Sequence, residues 1–315
     1  MAKKTIAVIG ATGAQGGGLV EAILADRSGE FAVRAITRKP DGEKGRELAA
    51  RGAEVVAGDL DDQDSLERAF EGAHGVFGVT NFWEHFSPER ELVQATAIAR
   101  ASKKAGVAHV VWSTLEDTRK DLPLDDPRLP VLGGQYNVPH FDAKGEADAV
   151  FAAEGAPTSY LLAAWYWDNM IGFGMGPKPN EQGELTLSLP LGGVKLPGIA
   201  AADIGGCALG VFRRGPKAAG ERFGIAGEVL SGGEMAAEFA KRLGRAVGFY
   251  DVPFDVYRGL GFPGAEDLGN MFQYQAIRGD AFVASRDPRL SRELHPGLQS
   301  FSAWLGDNLA RIPLD

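Results

Sequence analysis

Six short β-rich runs alternate with segments of helical periodicity through the first half of the chain, and this alternation limits the fold more than any other feature. The runs are "TIAVIGA" (5–11), "FAVRAITR" (31–38), "AEVVAGD" (53–59), "GVFGVT" (75–80), "HVVWSTL" (109–115) and "TSYLLAA" (158–164). Between them, Gly18–Ala25, Ser65–Phe70, Pro88–Lys104 and Lys144–Ala153 repeat apolar residues at helical spacing. Strands apolar on both faces suit a parallel sheet covered by helices on both sides. The expected fold is therefore α/β: a Rossmann-type doubly wound parallel sheet over 1–164, then a smaller α/β lobe over 165–315, with room for a later segment to return to the first sheet. In the smaller lobe "GELTLSLP" reads as a strand, and Asp203–Arg213, Gly233–Leu243, Glu266–Tyr274 and Leu298–Leu309 read as helices. Residues 115–146, with four prolines and many charges, read as a long loop over the carboxyl edge of the sheet.

The first run leads into "IGATGAQGGG" (9–18) and then into the helical "LVEAIL". Gly10, Gly13 and Gly16 form G-x-x-G-x-x-G in a strand-turn-helix context, where small residues let the backbone approach a pyrophosphate and helix N–H groups meet its charge. The expected role is dinucleotide binding, the alternative being a bare structural turn. A site for NAD usually carries an acid at the end of the second strand, whereas a 2′-phosphate calls for a cation. Here the strand ends in Thr37-Arg38-Lys39. Arg38 can pair with phosphate through two N–H groups, so NADP(H) is the expected cofactor, although a solvated Arg-Lys turn would look the same.

With the glycine turn, "VTNFWEHFSPERE", "PHFDAKGE" and "LGFPGAEDLGNMF" resemble the NmrA-like family of atypical short-chain dehydrogenase/reductases, from about residue 5 to about residue 310. The likeness is closest to its NADPH-binding, redox-sensing members. It implies that the dinucleotide turn spans Gly10, Ala11, Thr12, Gly13, Ala14 and Gln15, that Arg38 meets the 2′-phosphate, and that Asp62 and Gln63 lie by the adenine. It further implies that Thr80, Asn81 and Phe82 line the cofactor, that Lys144 lies under the nicotinamide ribose, and that Tyr166, Trp167, Asp168 and Asn169 flank the nicotinamide. Val93 stands where close relatives carry a lysine. Asp62 suits a helix N-cap equally well, and Phe82, Tyr166 and Trp167 suit core packing.

Reductases of the short-chain class use a Tyr four residues before a Lys as proton donor. No Tyr-x-x-x-Lys occurs here: His140 stands four residues before Lys144, and Ser113 ends the fifth run. Ser113, His140 and Lys144 are the candidate catalytic set. The five histidines have no metal-ligand spacing, and one cysteine, Cys207, allows neither an internal disulfide nor a cysteine-based zinc site. The expected compartment is reducing, the cytoplasm, with nuclear access if the source is eukaryotic. No export signal or membrane span is expected. A formal charge of -9 disfavours direct nucleic-acid binding. Three functions stay open: an NADPH-binding sensor with a regulated protein partner, an NADPH-dependent reductase of a small carbonyl or imine, and a protein-binding transcriptional co-regulator. The oligomeric state stays open too. The charged loop 116–143 is expected to be weakly held and to order with the cofactor.

Overall fold

The computed structural model describes residues 2–315. The first half runs β1 (Lys4–Val8), α1 (Ala14–Ala25), β2 (Phe31–Thr37), α2 (Glu43–Ala50), β3 (Glu54–Ala57), α3 (Gln63–Phe70), β4 (Gly75–Gly78), α4 (Pro88–Lys104), β5 (His109–Thr114), α5 (Pro139–Glu154) and β6 (Thr158–Leu162). The second half continues with β7 (Trp165–Tyr166), α6 (Asn169–Gly172), β8 (Lys178–Pro179), β9 (Leu185–Leu189), β10 (Leu196–Ile199), α7 (Ala201–Arg214), β11 (Arg222–Gly224) and β12 (Glu228–Leu230). It closes with α8 (Gly232–Leu243), β13 (Gly248–Asp251), α9 (Phe254–Arg258), α10 (Ala265–Arg278), α11 (Asp280–Ala284), α12 (Pro288–Leu294) and α13 (Phe301–Asn308).

All six expected strands form. With β11 they make one parallel sheet in the order β11-β6-β5-β4-β1-β2-β3, which reverses direction between β1 and β4. Ligands of open α/β sheets bind beyond the strand ends at such a reversal, and the glycine turn leaves β1 there. Successive residues of β1 serve opposite faces. Ile6 and Val8 pack with Leu19, Ile204 and Val211, whereas Ala7 and Ile9 pack with Leu66, Ile98 and Trp112. Burial on both faces is why the strand reads as an unbroken apolar run. Helix α7 crosses α1 in direct backbone contact: a Cβ on Gly205 would lie 1.9 Å from the Leu19 nitrogen, and one on Gly18 2.3 Å from the Ala202 oxygen. Segments far along the chain thus return to the large sheet.

The second lobe carries two three-stranded sheets, β12-β10-β7 and β13-β9-β8. Its core gathers Trp167, Leu187, Leu189, Phe239, Phe301 and Trp304.

Two expectations about residues 115–146 are corrected. Helix α5 begins at Pro139 rather than Lys144, because a proline in the first turn loses no internal hydrogen bond. Gly145 fits in that helix because its missing Cβ would lie 2.1 Å from the Asp117 nitrogen. The connection before α5 is also firmly held, not loose. Leu122, Leu129 and Val138 are buried in the second-lobe core. The buried Asp142 carboxylate accepts from the backbone N–H groups of Thr118, Asn137 and Val138 and from the Thr118 hydroxyl. Counting charges hid the three apolar side chains and the one carboxylate that pin the loop.

Candidate functional site

The turn after β1 is built to bring backbone close to a ligand. Gly10 adopts φ +65°, where a side chain is strained, and its carbonyl accepts from the Gly13 N–H at 2.8 Å. A Cβ on Gly16 would lie 2.4 Å from the Gly10 oxygen and 2.5 Å from that of Ile9, so α1 sits against the end of β1 only because residue 16 is glycine. The N-cap of α1, Gly13, offers no side chain to the first-turn N–H groups, and no acid occupies that turn. Free N–H groups at a positive helix end match a pyrophosphate. Gln15 reaches across to donate to the Tyr166 hydroxyl, while its own Oε1 is buried without a partner. An orphaned acceptor beside this cradle also fits a ligand with N–H or O–H groups. Burial pushes the Tyr166 phenol up to about 12, so it is neutral near neutral pH.

At the end of β2, Arg38 projects to solvent and donates from Nη1 to Glu84 Oε1 at 2.7 Å. Asp62 caps α3 by accepting from the Ser65 N–H at 3.1 Å, and Gln63 donates to Glu67. Gln63 and Val93 both line a cleft of about 320 Å³ between α3 and α4. Val93 is 62% exposed and forms an open wall of that cleft.

Beyond β4, Thr80 and Lys144 meet over a residue that the sequence did not single out. Glu91, on α4, is 0% exposed. Lys144 Nζ lies 2.6 Å from Glu91 Oε1, 2.7 Å from Thr80 Oγ1 and 3.2 Å from the Thr80 carbonyl oxygen. The Thr80 hydroxyl in turn donates to Glu91. The ammonium is thereby held inside the protein by two donations to Thr80 and an ion pair with Glu91. His85 stands behind, with Nδ1 accepting from the Ser87 N–H and Nε2 3.5 Å from Glu91 Oε2.

His140, one turn before Lys144, points elsewhere. Its Nδ1 is 2.6 Å from Asp267 Oδ1 and its backbone N–H reaches Asp267 Oδ2 at 3.2 Å, so α10 of the second lobe holds it. The ring lies among Phe82, Trp83 and Phe141, with centroid distances of 5.9, 4.8 and 4.8 Å. Ser113 is buried at the end of β5. Trp167 is 1% exposed and packs on Phe301 and Trp304. The Asp168 carboxylate accepts from the Ala201 N–H at the start of α7, and Asn169 opens α6. Asn81 is exposed and begins the short turn 82–84 that carries Glu84.

Gly10 to Gly16 follow β1, Arg38 follows β2, Thr80 to Phe82 follow β4 and Lys144 meets Thr80, while Trp167 and Asp168 also tie this region to Phe301, Trp304 and the start of α7. Glu84, Glu91 and Asp267 were missed. "SPERE" signals only a helix start, and Asp267 lies 127 residues from His140 with no local pattern to betray the pair.

A model of the NmrA-like family matches residues 2–305. The chain belongs to the NmrA-like family. The NmrA-like family domain-containing oxidoreductase FrzB of Cladobotryum sp is 28% identical over 303 residues, covering 89% of this chain and 86% of the relative. The crystal structure of NmrA, a negative transcriptional regulator in complex with NADP, superposes with a TM-score of 0.76 at 24% identity, over 99% of this chain and 95% of NmrA. Triphenylmethane reductase of Citrobacter sp., solved with NADP(H), superposes with a TM-score of 0.73 at 18% identity, over 97% and 99% of the two chains. Among the described residues no helix of this NmrA-like protein is long and apolar enough to cross a membrane, and no cluster of His, Cys, Asp and Glu suits a metal ion.

Proposed function

We propose that this NmrA-like protein binds NADP(H) at the carboxyl edge of its large sheet and works as a cofactor-responsive regulator of a protein partner, not as a fast carbonyl reductase. Gly10, Ala11, Thr12, Gly13, Ala14, Gln15 and Gly16 would cradle the pyrophosphate and Arg38 the 2′-phosphate. Asp62 and Gln63 would lie by the adenine, and Thr80, Asn81, Phe82, Lys144 and the segment Tyr166, Trp167, Asp168 and Asn169 would lie toward the nicotinamide. The bound cofactor would supply a hydride equivalent. The observation that carries the regulatory reading is the commitment of Lys144: its ammonium is ion-paired with buried Glu91 and donates to Thr80, and no phenol stands one turn away for it to activate. A thiol sensor is not required. Cys207 is buried and its thiol is pushed up to about 12 by burial, reinforced by Asp203, which leaves little reactive thiolate.

Arg38→Ala should weaken NADPH about tenfold to a hundredfold while NADH changes little, since a charge-assisted bond to the 2′-phosphate contributes about 1.5–3 kcal/mol. Titrations of NADPH, NADP, NADH and NAD into both proteins decide this, and equal losses for all four would remove the assignment.

The His140–Asp267 pair supports a second reading, an NADPH-dependent reductase. Asp267 fixes Nδ1 and leaves Nε2 without a protein partner among the described residues, as a proton donor would need. Over a panel of carbonyl and imine substrates we expect no rapid NADPH oxidation. Rapid turnover that His140→Asn abolishes, with NADPH affinity kept, would reverse the ranking.

A further inference from the structure

The end of β2 offers a 2′-phosphate a cation that already has an anion. Arg38 donates to Glu84 at 2.7 Å, and both side chains are largely in solvent, so a ligand can reach the pair. Its hydrogen bond to Glu84, then the charge of Glu84, raises the Arg38 pKa, with Asp59 and Asp61 adding to the same negative field. Asp61 is itself occupied by Arg90 and Gln94.

Glu84 cannot retreat with its backbone. Its N–H donates to the Asn81 carbonyl at 3.1 Å, and the N–H of Phe86 donates to the Phe82 carbonyl at 2.7 Å. Phe82 is buried, and Phe86 is held at φ +54°, a left-handed conformation that costs a side chain about 1–2 kcal/mol. Across the lobe seam, Gly264 sits so close that an added Cβ would lie 2.8 Å from the Trp83 ring and 3.3 Å from that of Phe86. Only side-chain rotation can carry the carboxylate off Arg38, and even then its charge stays near the site.

We propose that Glu84 is a resident competitor for the 2′-phosphate, occupying Arg38 in the free protein and thereby setting how strongly the site prefers NADP(H) over NAD(H). The inference rests on the NADP(H) reading given above. A 2′-phosphate must displace this carboxylate and then tolerate a like charge beside it, whereas the 2′-hydroxyl of NAD(H) meets an acceptor and no repulsion. The acid that NAD sites usually carry at the end of the second strand is here supplied by the turn after the fourth.

The test uses the full chain, its Glu84→Gln variant and its Arg38→Ala variant, each titrated with NADPH and NADH at low and high salt. Glu84→Gln should bind NADPH about three- to tenfold more tightly and NADH no more tightly than the unaltered chain, because an exposed ion pair and a nearby like charge are each a small effect. The gain should shrink at high salt, as screening weakens exposed charges. Glu84 is exposed, and thermal unfolding of the variant checks that the fold is kept. Unchanged or weaker NADPH binding in Glu84→Gln, while Arg38→Ala still loses NADPH selectively, would overturn the competitor and leave the cofactor reading standing. Equal losses of both cofactors in Arg38→Ala would overturn that reading and the competitor with it.

Discussion

Replacing Glu116 by alanine should destabilise the fold by about 3–5 kcal/mol, the cost of breaking a buried ion pair and leaving one charge alone. Arg286 is 0% exposed and donates from Nη1 and Nη2 to the two Glu116 oxygens at 2.7 and 2.9 Å, tying the end of β5 to the segment between α11 and α12. Its remaining bonds, to the Ala163 carbonyl and to Ser285, bring no compensating charge. A cavity of about 250 Å³ beside the pair, lined also by Arg222 and Arg278, gives water a route in and places the loss at the lower end of the range. The double variant Glu116→Leu with Arg286→Leu should lose less than Glu116→Ala alone, since no charge is left unpaired.

Burial raises the Glu116 pKa as the largest single effect, yet the attraction and hydrogen bonds of Arg286, with a backbone hydrogen bond and the charge of Arg222, together outweigh it and hold the carboxyl below its ordinary 4.5. A carboxyl depressed in the folded state stabilises above its unfolded pKa, and that contribution is lost as pH falls through the lower folded value. The stability gap between the unaltered chain and Glu116→Ala should therefore be full at pH 7 and narrow below 4.5. Denaturant unfolding at pH 7 and at low pH measures it; a gap under 1 kcal/mol at pH 7 would show that the pair is dispensable.

Gly16→Ala should abolish useful binding of NADPH and NADH alike, weakening each at least about a hundredfold, and lower stability by about 1–3 kcal/mol. The new methyl would lie 2.4 and 2.5 Å from two backbone oxygens that cannot swing aside, so α1 must move off the end of β1 and carry its N–H groups away from the pyrophosphate position. Gly17→Ala is the control. Its Cβ meets only the Ala11 oxygen, at an ordinary 3.5 Å, and should leave both affinities within about twofold. Loss of both cofactors in Gly16→Ala, against the selective loss in Arg38→Ala, separates the pyrophosphate cradle from the 2′-phosphate contact. Calorimetric titration of the three variants reads this directly, and Gly16→Ala binding within tenfold of the unaltered chain would sink the cradle.

What was legible in the sequence was what the chain encodes locally. The apolar run of β1 recorded burial on two faces, and the glycine spacing after it recorded a backbone that must pass close to other backbone. The amphipathic stretches recorded helices to within a few residues, except where Pro139 opened α5 earlier than its periodicity suggested. Each signal lies within about a turn or two of the structure it predicts, and for that reason survives in one sequence.

The partners of the charged residues left no such trace. Arg38 stands just past the end of β2 as the sequence shows, but nothing near it announces Glu84, 46 residues away. Lys144 was expected to serve a cofactor, and only the packing of α4 against α5 brought the buried Glu91 to its ammonium. The loop 116–143 looked loose by composition, yet Asp142 collects three backbone N–H groups and a hydroxyl once the chain has folded back on itself. The sequence by itself determined the doubly wound sheet, the glycine turn and the cation at the end of β2, because periodicity and backbone sterics act between neighbours in the chain. Tertiary structure alone decided which carboxylate holds Arg38, which holds Lys144 and which holds His140, because a charge pairs with whatever the fold places within about 3 Å, and such a pair imposes no pattern on the residues around it.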